Sequence, residues 1–130
     1  MRRFIPAGDW RDPRHRRGLA GERLALAYLT SCGWQIEAHR FRAGRHDVDL
    51  VARRGSVVAF VEVKTRSDEA FGSPLEAIGW QKRRAIARVA EVWRLRHGRP
   101  GDEYRFDVVT VAVSASGRCV EHIADAWRGR

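Results

Sequence analysis

The sequence predicts an α/β sandwich, in which helices flank a mixed central β-sheet. Three β-favouring segments, 34–42, 46–53 and 57–65, are separated by short glycine-containing turns, which indicates an antiparallel meander. A long helical pattern then leads to a further strand at 104–113. A strand, a helix and a strand in this order form a right-handed crossover with parallel pairing. An apolar helical segment at 18–32 is expected to be buried against the sheet.

Length and charge bound the class of protein. A chain of 130 residues predicts a single domain, which we place at 18–130. The formal net charge of +9 points to a polyanion such as DNA or RNA, although a solvated arginine-rich surface would also explain it. Residues 1–17 hold six arginines and two aspartates, which gives +4 of that charge. We interpret them as a basic, flexible N-terminal arm.

The cysteines and the first residues bear on the compartment. Cys32 and Cys119 form neither a disulfide framework nor a zinc-ligand spacing, and we expect both to stay reduced. Arg2 and Arg3 resemble a twin-arginine signal, but no apolar run follows them. The sequence also has no stretch long and apolar enough to span a membrane. We therefore expect a cytoplasmic protein without a membrane partner.

Several elements carry their own start and stop signals. Gly33 is a good stop for the first helix, and Ser73 to Glu76 form a capping box with Pro74 at the first helical position. Gly79 could divide the second helix into a short turn and a long helix. The helix is expected to end at 98–101. The last strand is expected to be short, near 119–122. A core-facing stripe of the second helix comprises Ile78, Ala85, Ile86, Val89, Val92 and Trp93, and most tryptophans are interpreted as core or edge packing.

Acidic side chains stand where two apolar strands should be buried. A two-residue type II′ turn at 55–56 places Asp49 opposite Glu62 and Asp47 opposite Lys64. Moving the turn back by one residue makes Asp49 and Glu62 diagonal neighbours, whereas a three-residue turn places them on opposite faces. Glu62 and Lys64 share one face of their strand because they are two residues apart.

This cluster has the composition of a metal-dependent nuclease site. Opposed buried carboxylates destabilise a sheet, and a hard cation such as Mg²⁺ or Mn²⁺ reverses that cost. Lys64 would then face a water molecule or the phosphate. Glu22 shares a helix face with Ala25 and Leu29, so it could complete the metal shell or hold a second metal. The alternative is a structural ion-pair network, with Glu22 a first-turn residue favoured by the helix dipole.

Basic side chains around the cluster are candidates for contact with nucleic-acid phosphates, although a solvated helix face would also explain those on the second helix. The candidates are Arg45, Arg66, Lys82, Arg83 and Arg84.

Several motifs resemble those of the YraN family, which are small bacterial proteins with a restriction-endonuclease-like fold related to archaeal Holliday junction resolvases. The resemblance runs from about residue 18 to the end, and its most specific block is Phe60 to Arg66. The matching segments are 21–22 with Ala25 and 28–29, 49–52, 60–66, 71–77, Lys82 and 105–109.

The resemblance implies roles for individual residues. Asp49, Glu62 and Lys64 match the PD-(D/E)xK signature, Glu22 matches the helix-1 acid, and the carbonyl of Val63 would be a further metal ligand. The intact acidic-lysine cluster on a basic chain predicts a Mg²⁺- or Mn²⁺-dependent endonuclease that acts on DNA, with branched or single-stranded forms as candidate substrates. A junction resolver would be a homodimer in order to cut two strands. The alternatives are a nucleic-acid-binding module that works with a helicase or another DNA-processing partner, and a protein-interaction scaffold on which the charges are structural. One departure concerns DNA access, because His46 stands where the family usually has glycine.

Overall fold

The computed structural model describes residues 13–67 and 78–128, with side chains described over the same ranges apart from 13–18, 66–67 and 113–114. These residues form two helices and five strands, which follow one another as α1 (Pro13–Ser31), β1 (Gln35–Ala43), β2 (His46–Arg54), β3 (Val57–Ser67), α2 (Trp80–His97), β4 (Glu103–Ser114) and β5 (Gly117–Trp127). Neither helix combines the length and the apolar composition that crossing a membrane requires.

The sheet is mixed and its strands follow the order β1-β2-β3-β4-β5. β3 and β4 pair in parallel, and the other neighbouring strands pair antiparallel. This arrangement confirms the predicted fold class, with its meander and its crossover through α2. It is also consistent with the restriction-endonuclease-like architecture implied by the resemblance.

Each face of the sheet has its own apolar core. On one face, Ile86, Val89 and Trp93 of α2 pack with Phe60 and Val108. On the other, Ala25 and Leu29 of α1 pack with residues that include Leu50, Val61 and Val109. β3 and β4, the inner parallel pair, are apolar on both sides. Each face therefore has to be covered, by α2 on one side and by α1 on the other.

The turn between β2 and β3 has the predicted form. Arg54 pairs with Val57, so the turn contains only Gly55 and Ser56. Gly55 has a φ of +63°, whereas Ser56 is not among the positive-φ residues of the described chain, which is the pattern of a type II′ turn. The turn fixes the register that sets the acidic residues against each other.

α1 differs from the prediction at its start. The helix begins at Pro13 and not at Gly18, because proline suits the first helical position and the arginines after it are good helix formers. The helix is also not buried all round, since Ala27 is exposed and only one face meets the sheet. The remaining residues of the predicted arm, 1–12, lie outside the described residues, as does the capping box at 73–76.

α2 follows its prediction closely, with Gly79 preceding its first residue and Gly98 ending it. The stripe is buried at Ala85, Ile86, Val89 and Trp93, and Val92 is half-buried.

β5 is longer than predicted, spanning 117–127 where 119–122 was expected. It is an edge strand whose polar residues obscure the alternation in the sequence, and pairing with β4 extends it.

A buried arginine joins the meander to the loop after α2. Arg53 donates to Glu37 Oε1 over 2.6 Å, and to both carboxylate oxygens of Asp102 over 2.6 and 2.8 Å. Asp102 also accepts a hydrogen bond from the backbone N–H of Arg99 over 2.8 Å. The hydrogen bonds from Arg53 are the main reason that the pKa of Asp102 is lowered to about 2. These contacts fix the loop over one end of the sheet.

Candidate active site

β2 and β3 part at the position of the predicted cluster. Their paired register ends at Leu50 and Val61, and one residue further along Asp49 stands beside Glu62. There the Asp49 side chain replaces the backbone ladder, because its Oδ2 accepts a hydrogen bond from the N–H of Val63 over 2.7 Å. The predicted register is confirmed from Arg54–Val57 to Leu50–Val61. The ladder ends there, so the expected Asp49–Glu62 and Asp47–Lys64 pairs both lie beyond it and are not ladder pairs in the described strands.

Glu62 is a buried carboxylate with few partners. Only 2% of its surface is exposed, and its Oε1 has no hydrogen-bond partner among the described residues. Its Oε2 lies 3.9 Å from Lys82 Nζ, which is at the outer limit of an ion pair. Burial and then the negative charge of Asp49 raise the pKa of Glu62 well above its ordinary value. A carboxylate in this state is expensive to keep charged unless a cation approaches it.

Asp49 shares this environment. Its pKa is raised, first by burial and then by the charge of Glu22, while the hydrogen bond from Val63 acts in the opposite direction. A side-chain hydrogen bond between Asp49 and Glu62 also contributes, lowering the pKa of Asp49 and raising that of Glu62. The two carboxyl groups are thus in contact with each other and have few other donors among the described residues. The sequence pattern of charges in a buried strand predicted this arrangement.

An irregularity in β1 shapes the pocket beside these acids. Arg40 has a φ of +55°, which is unusual for a residue other than glycine. Ala38 and Phe41 both pack in the α2-side core although they are three positions apart, an odd spacing, so the alternation of faces breaks between them. On the neighbouring strand, Val48 and Val51 show the same break around Asp49.

That break allows two consecutive side chains to reach Glu22. His39 Nε2 lies 2.7 Å from Glu22 Oε1, while Arg40 donates from Nε to Oε1 over 2.9 Å and from Nη2 to Oε2 over 2.7 Å. Burial alone would raise the pKa of Glu22, but the hydrogen bonds from Arg40 and His39 outweigh it and lower the pKa. Glu22 is therefore a charged carboxylate whose charge is balanced by Arg40, and both of its oxygens already accept hydrogen bonds. To act as the predicted metal ligand, it would have to release Arg40.

These groups line one open pocket of about 530 Å³. Its walls come from Glu22, Arg40, Asp49, Glu62, Val63, Lys64, Thr65 and Lys82. The structure thus brings together all the predicted catalytic residues and the predicted backbone ligand. Arg40 and His39 were not predicted, because a positive φ at an arginine leaves no trace in a single sequence.

The predicted nucleic-acid contacts are distributed around this pocket. Lys82 lines it, whereas Arg45 is exposed in the β1–β2 turn and Arg84 is exposed on α2. Arg83 is half-buried and donates to the carbonyl of Ile78 over 2.9 Å, so it is already engaged in the fold. The side chain of Arg66 lies outside the described residues. His46 is exposed and pairs with Ala43, so the turn closes normally where the family has glycine.

The oxygen donors of the pocket fit a hard divalent cation that takes only a few of its ligands from the protein. Asp49 and Glu62 offer carboxylate oxygens, and the orphaned Glu62 Oε1 is a buried acceptor that a cation would satisfy. Over the described ranges no group of three or more histidine, cysteine, aspartate or glutamate residues is arranged to hold a metal. Mg²⁺ accepts one or two carboxylates and keeps several waters, so two acids suffice, and a site that needs more protein ligands does not fit.

Sequence comparison relates the chain to a known family. Residues 21–111, which include every residue that lines the pocket, match the model of the uncharacterised protein family UPF0102. A UPF0102 protein from Anaeromyxobacter sp. (strain Fw109-5) is 42% identical over 123 residues, covering 95% of this chain and 90% of that protein. A UPF0102 protein from Symbiobacterium thermophilum is 44% identical over 103 residues, covering 78% and 86% of the two chains. The names of these two relatives state no activity.

Proposed function

Since the chain belongs to the UPF0102 family, the YraN family that its motifs resemble, we propose that it is a Mg²⁺- or Mn²⁺-dependent endonuclease acting on DNA in the cytoplasm. The substrates are branched or single-stranded forms. The observation that carries this proposal is Glu62, a buried carboxylate beside Asp49 with an oxygen that has no partner in the described chain. Two neighbouring acids with few donors lower the stability of the fold, so stability alone does not explain the pair.

The residues of the pocket have distinct roles in this proposal. Asp49 and Glu62 hold the cation, and the hydrogen bond from Val63 fixes the orientation of Asp49. When bound, the metal acidifies a water and neutralises charge on the phosphate. Lys64 donates to the attacking water or to the phosphate oxygens, as the compact ammonium of lysine allows.

The cations of the pocket bring in the phosphate. Lys82 and Arg40 line the same pocket as the acids, so the site attracts a phosphodiester although it contains three carboxylates. Glu22 acts here through Arg40, which it holds by two hydrogen bonds, and is a positioning residue. Developing negative charge on the phosphate is stabilised by groups that are already oriented.

A cleavage assay tests the proposal. The purified chain is incubated with duplex, flap, four-way junction and single-stranded DNA, in Mg²⁺, in Mn²⁺ and in EDTA. We expect cleavage only with a divalent ion, and its loss in Glu62→Ala and in Lys64→Ala. Glu91→Ala is the matched control, because Glu91 is an exposed acid on α2 that pairs with Arg94 outside the pocket.

Cutting both strands of a junction would also require a symmetric pair of sites.

Other outcomes would contradict the proposal. DNA binding that weakens steeply with salt, is unaffected by metal and is never followed by cleavage would favour a binding module that works with a helicase or another DNA-processing partner. If substitution of Asp49 or Glu62 changed only the stability, and DNA were neither bound nor cut, the cluster would be structural.

A further inference from the structure

Trp80 differs from the other tryptophans that the structure describes. It is the first residue of α2 and 64% of its surface is exposed, whereas Trp34, Trp93 and Trp127 are 3%, 1% and 6% exposed. Burying a tryptophan normally contributes more than burying any other side chain, because of its large apolar area. Its exposure therefore needs an explanation other than packing.

The surroundings of Trp80 are basic. A depression of about 250 Å³ is lined by His46, Trp80, Gln81, Arg84, Ala85 and Arg88, and an adjoining one adds Arg45 and Val92. Arg84 and Arg88 follow Trp80 by one and two helical turns, so the three lie along one side of α2. The guanidinium of Arg84 stands over the indole at 5.7 Å from the ring centroid. No carboxylate lines either depression in the described part of the chain.

This surface lies at the same end of α2 as the candidate active site. Lys82, two residues after Trp80, has its Nζ 3.9 Å from Glu62 Oε2. The first turn of α2 thus carries a pocket lysine and the exposed indole. Residues two apart do not share a helix face, so the indole and the lysine project from different sides of the first turn, and a strand that reached both would pass around the N-terminal end of α2.

An exposed indole beside arginines matches one class of ligand, the unpaired nucleotide. A base stacks on an aromatic ring while its phosphates contact arginine, and the stacking tolerates any base because every base has a π-face. Paired bases in a duplex are already stacked on each other, so they do not offer a face to Trp80. A partner protein with acidic and aliphatic side chains is the other candidate occupant, and nucleic acid is favoured because the arginines of the lining stand beside an exposed indole on which a base can stack.

We propose that Trp80, with Arg84 and Arg88, binds an unpaired nucleotide of the DNA substrate beside the active site. The choice of DNA rests on the proposed function, but the binding does not require cleavage. The surface selects strands that contain single-stranded positions. It would thereby distinguish flaps and single strands from fully paired forms such as blunt duplex.

The test measures binding without catalysis. Fluorescence anisotropy in EDTA follows labelled single-stranded DNA and blunt duplex of the same length. We expect Trp80→Ala to weaken single-strand binding by roughly 5- to 150-fold, which is the range for the loss of one stacked base, and to change duplex binding by less than about twofold. Trp80→Phe should recover most of the affinity. Leu95→Ala is the matched control, because Leu95 is 72% exposed on the same helix.

The variants should fold, because Trp80 is exposed, and equal melting temperatures verify this. The proposal is overturned if Trp80→Ala binds single strands as the wild type does, if it loses duplex binding equally, or if Trp80→Phe does not recover binding. A wild-type chain that does not bind single-stranded DNA overturns it too. Cleavage is measured separately, so a chain that binds through Trp80 but does not cut contradicts only the proposed function.

Discussion

At the scale of the residue, the carboxylates of the pocket differ in how the protein treats them. Glu22 receives hydrogen bonds on both oxygens, and its pKa is lowered. Glu62 is equally buried but has an oxygen with no partner among the described residues, and its pKa is raised. The fold thus provides donors for both oxygens of Glu22 but leaves one oxygen of Glu62 without a described donor. This unfavourable interaction is concentrated in the pocket.

The first prediction concerns the stability of that arrangement. Glu62→Gln keeps the size of the side chain and removes its charge, so in the absence of divalent ions we expect the melting temperature at neutral pH to rise, by about 3 °C or more. The reason is that burial and the charge of Asp49 oppose ionisation of Glu62. Thermal unfolding followed by circular dichroism measures the change. Glu91→Gln removes an exposed ion pair with Arg94 and should not raise the melting temperature. A lower melting temperature for Glu62→Gln would support the structural ion-pair interpretation.

The second prediction concerns acid. The pKa of Asp102 is about 2 in the folded chain and 3.8 ordinarily, so the folded state binds a proton less readily than the unfolded state. Its stabilisation is complete above about pH 5 and is lost as the pH falls towards 2. We expect Asp102→Asn to lower the free energy of unfolding by about 2 kcal/mol at neutral pH, and the difference from wild type to vanish near pH 2.

Urea unfolding at a series of pH values checks this dependence. Asp125→Asn is a suitable control, because the Asp125 side chain is partly exposed and forms a 3.4 Å ion pair with exposed Arg128, so the stability of this variant should follow that of the wild type over the same pH range. A difference between Asp102→Asn and wild type that stayed constant down to pH 2 would show that the carboxylate contributes through packing and not through charge.

At the scale of the element, the two ends of α2 are bounded by glycines in different surroundings. Gly79 and Gly98 both have extended backbones with negative φ, so neither needs glycine for its conformation. Among the described residues, a Cβ on Gly79 would meet nothing within 4 Å, whereas one on Gly98 would collide with the carbonyl oxygen of Arg94 and with the hydroxyl of Tyr104. The end of α2 is therefore packed closely against β4, and its beginning is open beside the site.

This contrast gives the third prediction. Gly98→Ala should lower the free energy of unfolding by about 1–3 kcal/mol, because the backbone carbonyl of Arg94 cannot move without disturbing the last turn. Gly79→Ala, at the other end of the same helix, should change it by less than about 0.5 kcal/mol. Chemical denaturation of the two variants measures the difference. Equal effects would mean that helix propensity, and not the contact with Tyr104, decides the requirement at Gly98.

At the scale of the whole molecule, the fold brings the site together from three separate parts of the chain. α1 supplies Glu22 from one face of the sheet, β2 and β3 supply Asp49, Glu62 and Lys64, and α2 supplies Lys82 from the other face. The pocket opens where the ladder between β2 and β3 ends. Both helices and the sheet must therefore be in place before the pocket is complete.

Much of this could be predicted from the sequence because short-range chemistry decides it. The turn at Gly55 fixes the register between β2 and β3, and the period of a strand puts Glu62 and Lys64 on one face. The helical period put Glu22 on the buried face of α1. The order of strand, helix and strand fixed the parallel pairing of β3 and β4.

The rest depends on contacts that no local pattern records. The positive φ of Arg40 and the donation of two hydrogen bonds to Glu22 follow from how α1 meets β1, so they were not predicted. The approach of Lys82 to Glu62 depends on where α2 begins over the sheet. The edge strand β5 was too short in the prediction because its residues are mostly polar.

The central claim is that Asp49 and Glu62 hold a divalent cation. Anomalous diffraction from crystals soaked in Mn²⁺ tests it most directly, because the ion is located without assuming any activity. We predict an anomalous peak between the Asp49 and Glu62 carboxylates in the wild type, with Arg40 still bound to Glu22, and no peak there in Glu62→Ala. A wild-type crystal that shows no Mn²⁺ at these two carboxylates, at a concentration that loads other sites, would contradict the claim.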